Sequence, residues 1–183
     1  MSRQPKALRL FLVGPMGSGK STVGKHLADL LDITFVDSDA EIERRAGADI
    51  PWIFDVEGEA GFRRRETAVL QELAQGNDTV IATGGGAILA QENRELMSRS
   101  GIVAFLNVSV AQQLKRTGSG EGRPLLQQGD RETTLKKLMA EREPLYRALA
   151  DVMISAGGGN ARKVARQIHT QLLERGLLSH DAG

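Results

Sequence analysis

Residues 14–21 read Gly-Pro-Met-Gly-Ser-Gly-Lys-Ser, which puts one ammonium and one hydroxyl directly after three spaced glycines. This Gly-x4-Gly-Lys-Ser/Thr pattern suits a triphosphate. Phosphate oxygens need several N–H donors at close range, and glycine lets the chain turn its amides inward without Cβ clashes. A helix beginning near Lys20 adds the positive end of its dipole. Lys20 can reach the β- and γ-phosphates. The Ser21 hydroxyl can ligate Mg²⁺, a cation that takes oxygen ligands and retains several waters. Gly17, Ser18, Gly19, Lys20, Ser21 and Thr22 are therefore the candidate nucleotide contacts.

Two acids close a short apolar run at Phe35-Val36-Asp37-Ser38-Asp39. In an extended segment, residues two apart point the same way, so both carboxylates can face one site. A transferable hydroxyl needs an acceptor that orients it and can take its proton. A phosphate-bound cation needs a second anionic anchor. Asp37 is accordingly assigned to Mg²⁺, through water, beside Ser21, and Asp39 to the acceptor hydroxyl. Capping by Ser38 or Asp39 of a helix starting near Ala40 is compatible with that role.

Arg63 adjoins Phe62 and precedes Glu66 by three residues, a spacing that allows an ion pair along one helix face. A guanidinium held in this way grips a carboxylate through two parallel hydrogen bonds. Arg64 and Arg65 read as a solvated helix face. Arg123 ends the flexible polar stretch TGSGEG at 117–122 and opens Arg-Pro-Leu-Leu. A mobile arginine closing over a γ-phosphate stabilises the transferring charge and excludes water. Arg116, at the start of the same lid, can cover an adenine. Arg142 has Glu141 and Glu143 on either side and by spacing alone reads as an ordinary surface pair. His26, His169 and His180 have no partner spacing and read as structural or exposed. Trp52 lies in an apolar patch at 50–56 that can wall a pocket or simply pack, packing being the commoner outcome.

These residues must be positioned by a scaffold, and the periodicity describes one. Residues 8–13 (LRLFLV), 34–36, 79–83, 102–106 and 152–154 are short apolar runs that read as buried strands. Helical patterns separate them at 21–31, 61–75, 91–99, 110–116, 131–150 and 162–175. Strands alternating with helices indicate a parallel sheet covered on both faces, with ligands at the carboxyl ends of its strands. Glycine runs at 84–86 and 157–159 fall at or near such ends.

With 183 residues the chain has room for one α/β domain and its core. Aromatics are only 4%, so that core must be mainly Leu, Ile, Val and Ala. The net charge of +1 gives no field suited to nucleic acid. With no cysteine, disulfides and thiolate metal sites are excluded, which fits a reducing compartment. The run at 8–13 is too short for a signal peptide or a membrane span. A cytoplasmic protein without membrane partners is expected.

A phosphate loop alone does not separate kinases from GTPases, motor ATPases or regulators. No Asn-Lys-x-Asp guanine signature is present, and the length favours a compact kinase. Taken together and in order, six segments resemble the shikimate kinase family over nearly the whole chain. They are GPMGSGKST at 14–22, DSD at 37–39, GFR…E at 61–66, GGG at 84–86, RPLL at 123–126 and REPLY at 142–146. The resemblance implies a three-layer P-loop kinase fold with a five-stranded parallel sheet in the order 2-3-1-4-5. It implies one domain over 1–183, with a lid at roughly 112–128 and a substrate-binding segment at roughly 37–66. It implies Mg²⁺-dependent transfer of the ATP γ-phosphoryl to the 3-hydroxyl of shikimate, by a cytoplasmic monomer. By the same resemblance Lys20, Asp39 and Arg123 are catalytic, and Arg63 and Arg142 hold the substrate carboxylate. The Gly85 amide, with Gly86 beside it, meets substrate, and the turn around Gly159 borders the adenine. That turn is all glycine here, so any adenine contact from it would be through backbone.

Two rivals share parts of the pattern. A kinase for another hydroxylated acid such as gluconate would also need the phosphate loop and carboxylate-binding arginines. A nucleotide-binding regulator would need neither the acceptor cluster nor the lid arginine. The expected effect of Arg123→Ala is a lower kcat with little change in shikimate binding, read by steady-state kinetics. An unchanged kcat would discard the lid-arginine role.

Overall fold

In the computed structural model, residues 7–118, 124–126 and 129–178 are described. β1 (Arg9–Val13) is buried at every position, as a central strand covered on both faces must be. Its alternate side chains serve two cores: Leu10 and Leu12 face one side, Phe11 and Val13 the other. The chain continues through α1 (Lys20–Leu31), β2 (Thr34–Asp37), α2 (Ser38–Ala46) and α3 (Ile50–Leu73). Next come β3 (Thr79–Ala82), α4 (Gln91–Ser100), β4 (Ile102–Asn107) and α5 (Val110–Thr117). α6 (Arg131–Leu149), β5 (Val152–Ser155) and α7 (Ala161–Glu174) complete it. Short 3₁₀ turns occupy Ala87–Leu89 and Pro124–Leu126.

The five strands pair in parallel in the order β2-β3-β1-β4-β5, as expected. One core joins β1 and β4 to α1 and α7 through Leu27, Leu31, Val164, Ile168 and Leu172. The other joins them to α3, α4 and α6 through Leu70, Met97, Phe105 and Tyr146. A smaller cluster of Ile42, Ile53, Phe62 and Val69 binds α2 to α3 beyond the end of β2. Both large cores fix the strands, and the carboxyl ends of β1, β2 and β3 open toward one side.

The chain departs from the expected elements in the segment after β2. α2 begins at Ser38, and its cap is Asp37, not Ser38 or Asp39. The Asp37 carboxylate accepts hydrogen bonds from the Asp39 and Ala40 amides at 2.9 and 3.1 Å. An acid that ends a strand can satisfy the first free amides of the next helix without any intervening residue. α3 is two helices meeting at a kink: the second carries the helix expected at 61–75, and the first, from Ile50, was not expected. Asp49 caps it through the Trp52 amide, and Pro51 sits in the first turn, where a missing N–H costs nothing. The helix is broken at Gly58, whose φ of 71° is left-handed, and this break hid the first half from the periodicity. Arg65, read as solvated, reaches back over the break to pair with Glu57 at 2.7 Å. Arg64 is exposed as expected. Trp52 does not pack: it is 50% exposed, while Ile50 and Phe54 of the same patch turn inward.

Leu27 lies on the buried face of α1 with no exposed surface. Leu27→Ala is expected to lower unfolding free energy by about 2–5 kcal/mol, measurable by urea denaturation.

Candidate active site

The phosphate loop lies between β1 and α1. Gly17 and Gly19 hold φ of 75° and 85°, a region that side chains with a Cβ enter only with strain. Gly19 is the N-cap of α1, with no side-chain cap and no acid in the first helical turn. The amides and dipole at that end are therefore left to an anion. Lys20 folds over its own loop, donating to the Gly14 and Pro15 carbonyls at 2.8 and 2.9 Å and to Ser18 Oγ at 3.3 Å. Ser18 is buried beneath the loop, whereas Gly17, Gly19, Lys20, Ser21 and Thr22 line a cleft of about 460 Å³.

The acids stand on the opposite wall of that cleft. The Ser21 hydroxyl donates to Asp37 Oδ2, so a hydroxyl and a carboxylate oxygen meet beside the phosphate loop. This donor set fits Mg²⁺, which takes one or two protein oxygens and fills its other positions with water and phosphate. Among the described residues no cluster of three or more metal-binding side chains forms a full cage. Asp37 and Asp39 both reach the cleft, but not because they share one extended segment. Asp37 ends the strand, and Asp39 rides on the first turn of α2.

Asp39 is enclosed next to Glu66, and the two carboxylates set the electrostatics of the pocket. Glu66 is fully buried. Asp39 Oδ1 and Glu66 Oε2 are both buried without a hydrogen-bond partner among the described residues. A Cβ added to Gly84 would lie 2.8 Å from each, so the glycine brings β3's end between them. Burial, then the charges of Glu66 and Asp37, push the Asp39 carboxyl up to about 7, against the pull of Lys20 and Arg63. Glu66 is also raised by burial, opposed by Arg63 and Arg142.

Arg63 donates to Glu66 at 2.9 Å and Glu59 at 3.2 Å, so the expected pair forms. Arg142, which spacing assigned to the surface, is only 5% exposed and lines the same cleft. Neighbouring acids along a helix misled that reading, because Glu141 and Glu143 project from other faces of α6. The Nε atoms of Arg63 and Arg142 are buried without partners among the described residues. Gly85 and Gly86 also line the cleft, and a Cβ on Gly86 would fall 2.4 Å from the Arg63 guanidinium. Ile50, Phe54 and Phe62 supply an apolar wall. Arg116 donates to the carbonyls of Gly17 and Ala156, both at 3.0 Å, bridging the phosphate loop to the end of β5. Gly159 lies in the turn before Asn160, the N-cap of α7, and is not part of the cleft wall. Arg123 and His180 lie outside the described residues; Pro124 and Leu125 beside Arg123 border the cleft. Sequence reasoning treated Glu66 as a partner only and gave Tyr146 no role. The one signal for both was their place inside GFR…E and REPLY.

A family model described as Shikimate kinase matches residues 16–173. The chain belongs to the shikimate kinase family. A curated shikimate kinase of Halorhodospira halophila (strain DSM 244 / SL1) is 57% identical over 160 residues, covering 87% of this chain and 90% of that protein. Another, from Francisella tularensis subsp. holarctica (strain FTNF002-00 / FTA), is 50% identical over 170 residues, covering 92% and 97%. The solved structure of shikimate kinase from Acinetobacter baumannii, in complex with shikimate, is similar at a TM-score of 0.91 and 50% identity. It covers 94% of this chain and 96% of that one. The family match and the sheet order thus agree with the resemblance carried by the six motifs.

The raised carboxyl of Asp39 also bears on stability. The folded protein binds this proton at about 7, against 3.8 for a free side chain, so folding is penalised as pH rises through that interval. Asp39→Asn removes the charge at every pH. The variant is expected to be more stable than wild type at pH 8 by about 1–3 kcal/mol, with the gain shrinking toward pH 4. Thermal unfolding at the two pH values checks this.

Proposed function

We propose that this chain transfers the γ-phosphoryl group of ATP to the 3-hydroxyl of shikimate, giving shikimate 3-phosphate and ADP. One observation carries the reading: a hydroxyl-directed acid, Asp39, and two carboxylate-directed arginines, Arg63 and Arg142, share a cleft with the phosphate loop. A hydroxylated carboxylic acid is complementary to this set, and shikimate is the acid bound in a relative 50% identical.

The residues divide the work. Amides of Gly17, Gly19, Lys20, Ser21 and Thr22, with the Lys20 ammonium, grip the phosphates. Lys20 leaves the loop carbonyls to do so, a move that replaces neutral acceptors by charged ones. Arg63 and Arg142 anchor the substrate carboxylate and the Gly85 and Gly86 amides border it, so the hydroxyl falls at Asp39. Ser21 and Asp37 would hold Mg²⁺, which when bound would neutralise charge on the phosphates. Arg116 and the backbone near Gly159 border the adenine. Arg123, on a lid spanning roughly 112–128, closes over the transferring group.

Catalysis of this kind rests on alignment and preorganised charge. Asp39 orients the hydroxyl and receives its proton as the new P–O bond forms; with a carboxyl poised at about 7, it is available as a base at neutral pH and above. The whole 1–183 chain acts as one domain, with 37–66 as the substrate-binding segment. It works as a monomer in the cytoplasm, where ATP and a reducing milieu suit a chain without cysteine. Among the described residues, no helix is long and apolar enough to cross a membrane.

Mass spectrometry of products after incubation with ATP, Mg²⁺ and either shikimate or gluconate tests the reading. A shikimate monophosphate is expected, and phosphorylation of gluconate alone would contradict it. The base role has its own signature. Wild-type kcat/KM for shikimate is expected to fall about tenfold per pH unit below about 7, and Asp39→Asn to lose at least about 100-fold in kcat. Near-wild-type turnover by Asp39→Asn would refute that role.

A further inference from the structure

Tyr146 is a large polar side chain buried behind the cleft, and the mechanism above does not use it. It has no exposed surface and stacks on Phe105 with ring centroids 5.0 Å apart and planes 20° from parallel. Its hydroxyl donates to the Gly85 carbonyl. Burial raises the phenol to about 12, so it remains a donor at any working pH.

The acceptor lies in a tight turn. Ala87 N donates to the Gly84 carbonyl at 3.1 Å, which makes Gly85 and Gly86 the central residues of a four-residue turn. Gly86, at φ −98° and ψ 3°, has the third-position geometry of a type I turn. That turn leaves its central peptide, Gly85 C=O to Gly86 N–H, outside its own hydrogen bond. The peptide is planar and trans, so its oxygen and its N–H point in opposite directions. With the oxygen pulled into the core by Tyr146, the Gly86 N–H is aimed away from the core, to the side where Gly86 meets Arg63 and the cleft. Neither the Gly85 nor the Gly86 amide has a hydrogen-bond acceptor among the described residues.

The segment after the turn is held as firmly. Asn93 donates to the Ala87 carbonyl at 2.9 Å. Arg94 donates to the carbonyls of Ile88 and Leu89 at 2.6 and 2.9 Å. Only the central peptide depends on a single contact, that of Tyr146. Left without it, a glycine–glycine peptide rotates easily, because neither flanking residue has a Cβ to resist.

We propose that Tyr146 is a positioning residue: its hydroxyl fixes the Gly85–Gly86 peptide so that the Gly86 N–H faces the acceptor substrate and donates to one of its oxygens. This rests on the proposed function for the identity of that substrate. Tyr146 touches neither substrate; because its hydroxyl also lies against Arg142, the Gly86 amide signal separates a loosened peptide from a displaced guanidinium.

Tyr146→Phe keeps the ring and its stacking and removes only the hydroxyl. Its KM for shikimate is expected to rise about tenfold, with KM for ATP within about twofold of wild type. In ¹⁵N-labelled wild type, the Gly86 amide resonance is expected to shift on saturation with shikimate, and in the variant to shift far less. An unchanged KM for shikimate, or an equal rise for both substrates, overturns the proposal. Should the variant fail to fold, the wild-type resonance decides alone, and a Gly86 signal unmoved by shikimate overturns it. Absence of shikimate turnover by wild type would sink the proposed function and this inference with it. An active wild type with an indifferent variant would sink only the inference.

Discussion

The cleft depends on one buried contact, the ion pair of Glu66 with Arg63. A carboxylate with no exposed surface is costly unless opposite charge offsets its burial. Glu66 obtains that charge from Arg63 at 2.9 Å and from the field of Arg142. The pair in turn constrains the rest. It directs the Arg63 guanidinium across Gly86, where no side chain fits. It also leaves Glu66 Oε2 facing Asp39 past Gly84, and burial together with that charge raises the proton affinity of Asp39. Two glycines of the 84–86 run are thus spaces that the charged cluster requires.

The scaffold around this cluster is rigid where the site needs precision. β1 and β3 carry the phosphate loop and the Gly84–Gly86 turn on adjacent, fully buried strands. The two walls of the cleft are therefore set by sheet hydrogen bonds. β2 ends directly in Asp37, whose carboxylate bonds Ser21 on one side and caps α2 on the other. A single acid thereby joins the 14–22 loop to the start of α2.

Much of this was legible in the residues because it rests on local rules. Apolar runs of strand length marked all five strands within a residue or two. The Gly-x4-Gly-Lys-Ser spacing marked the loop, and the Arg63–Glu66 spacing marked the pair. What escaped is set by tertiary packing. By spacing Arg142 looked like a surface residue because its sequence neighbours are acids, and only the REPLY resemblance assigned it to the substrate; the face of α6 that carries it turns to the cleft. The first half of α3 was hidden by Pro51 in its first turn and by Gly58, where the backbone leaves helical φ/ψ and separates it from the second half. Trp52 was expected to pack on the strength of its hydrophobicity, but it lies on a face of α3 that leaves half of it exposed. Asp37 as a cap could not be read, since strand end and helix start fall on consecutive residues.

The central claim is that one cleft holds a triphosphate and a hydroxylated carboxylic acid in line with each other. A crystal structure with ADP and shikimate bound tests it most directly. The account predicts the diphosphate on the 14–22 loop, the shikimate carboxylate between Arg63 and Arg142, and its 3-hydroxyl against Asp39. A structure with the loop folded shut on Lys20, or with shikimate held away from Arg63 and Asp39, would contradict it.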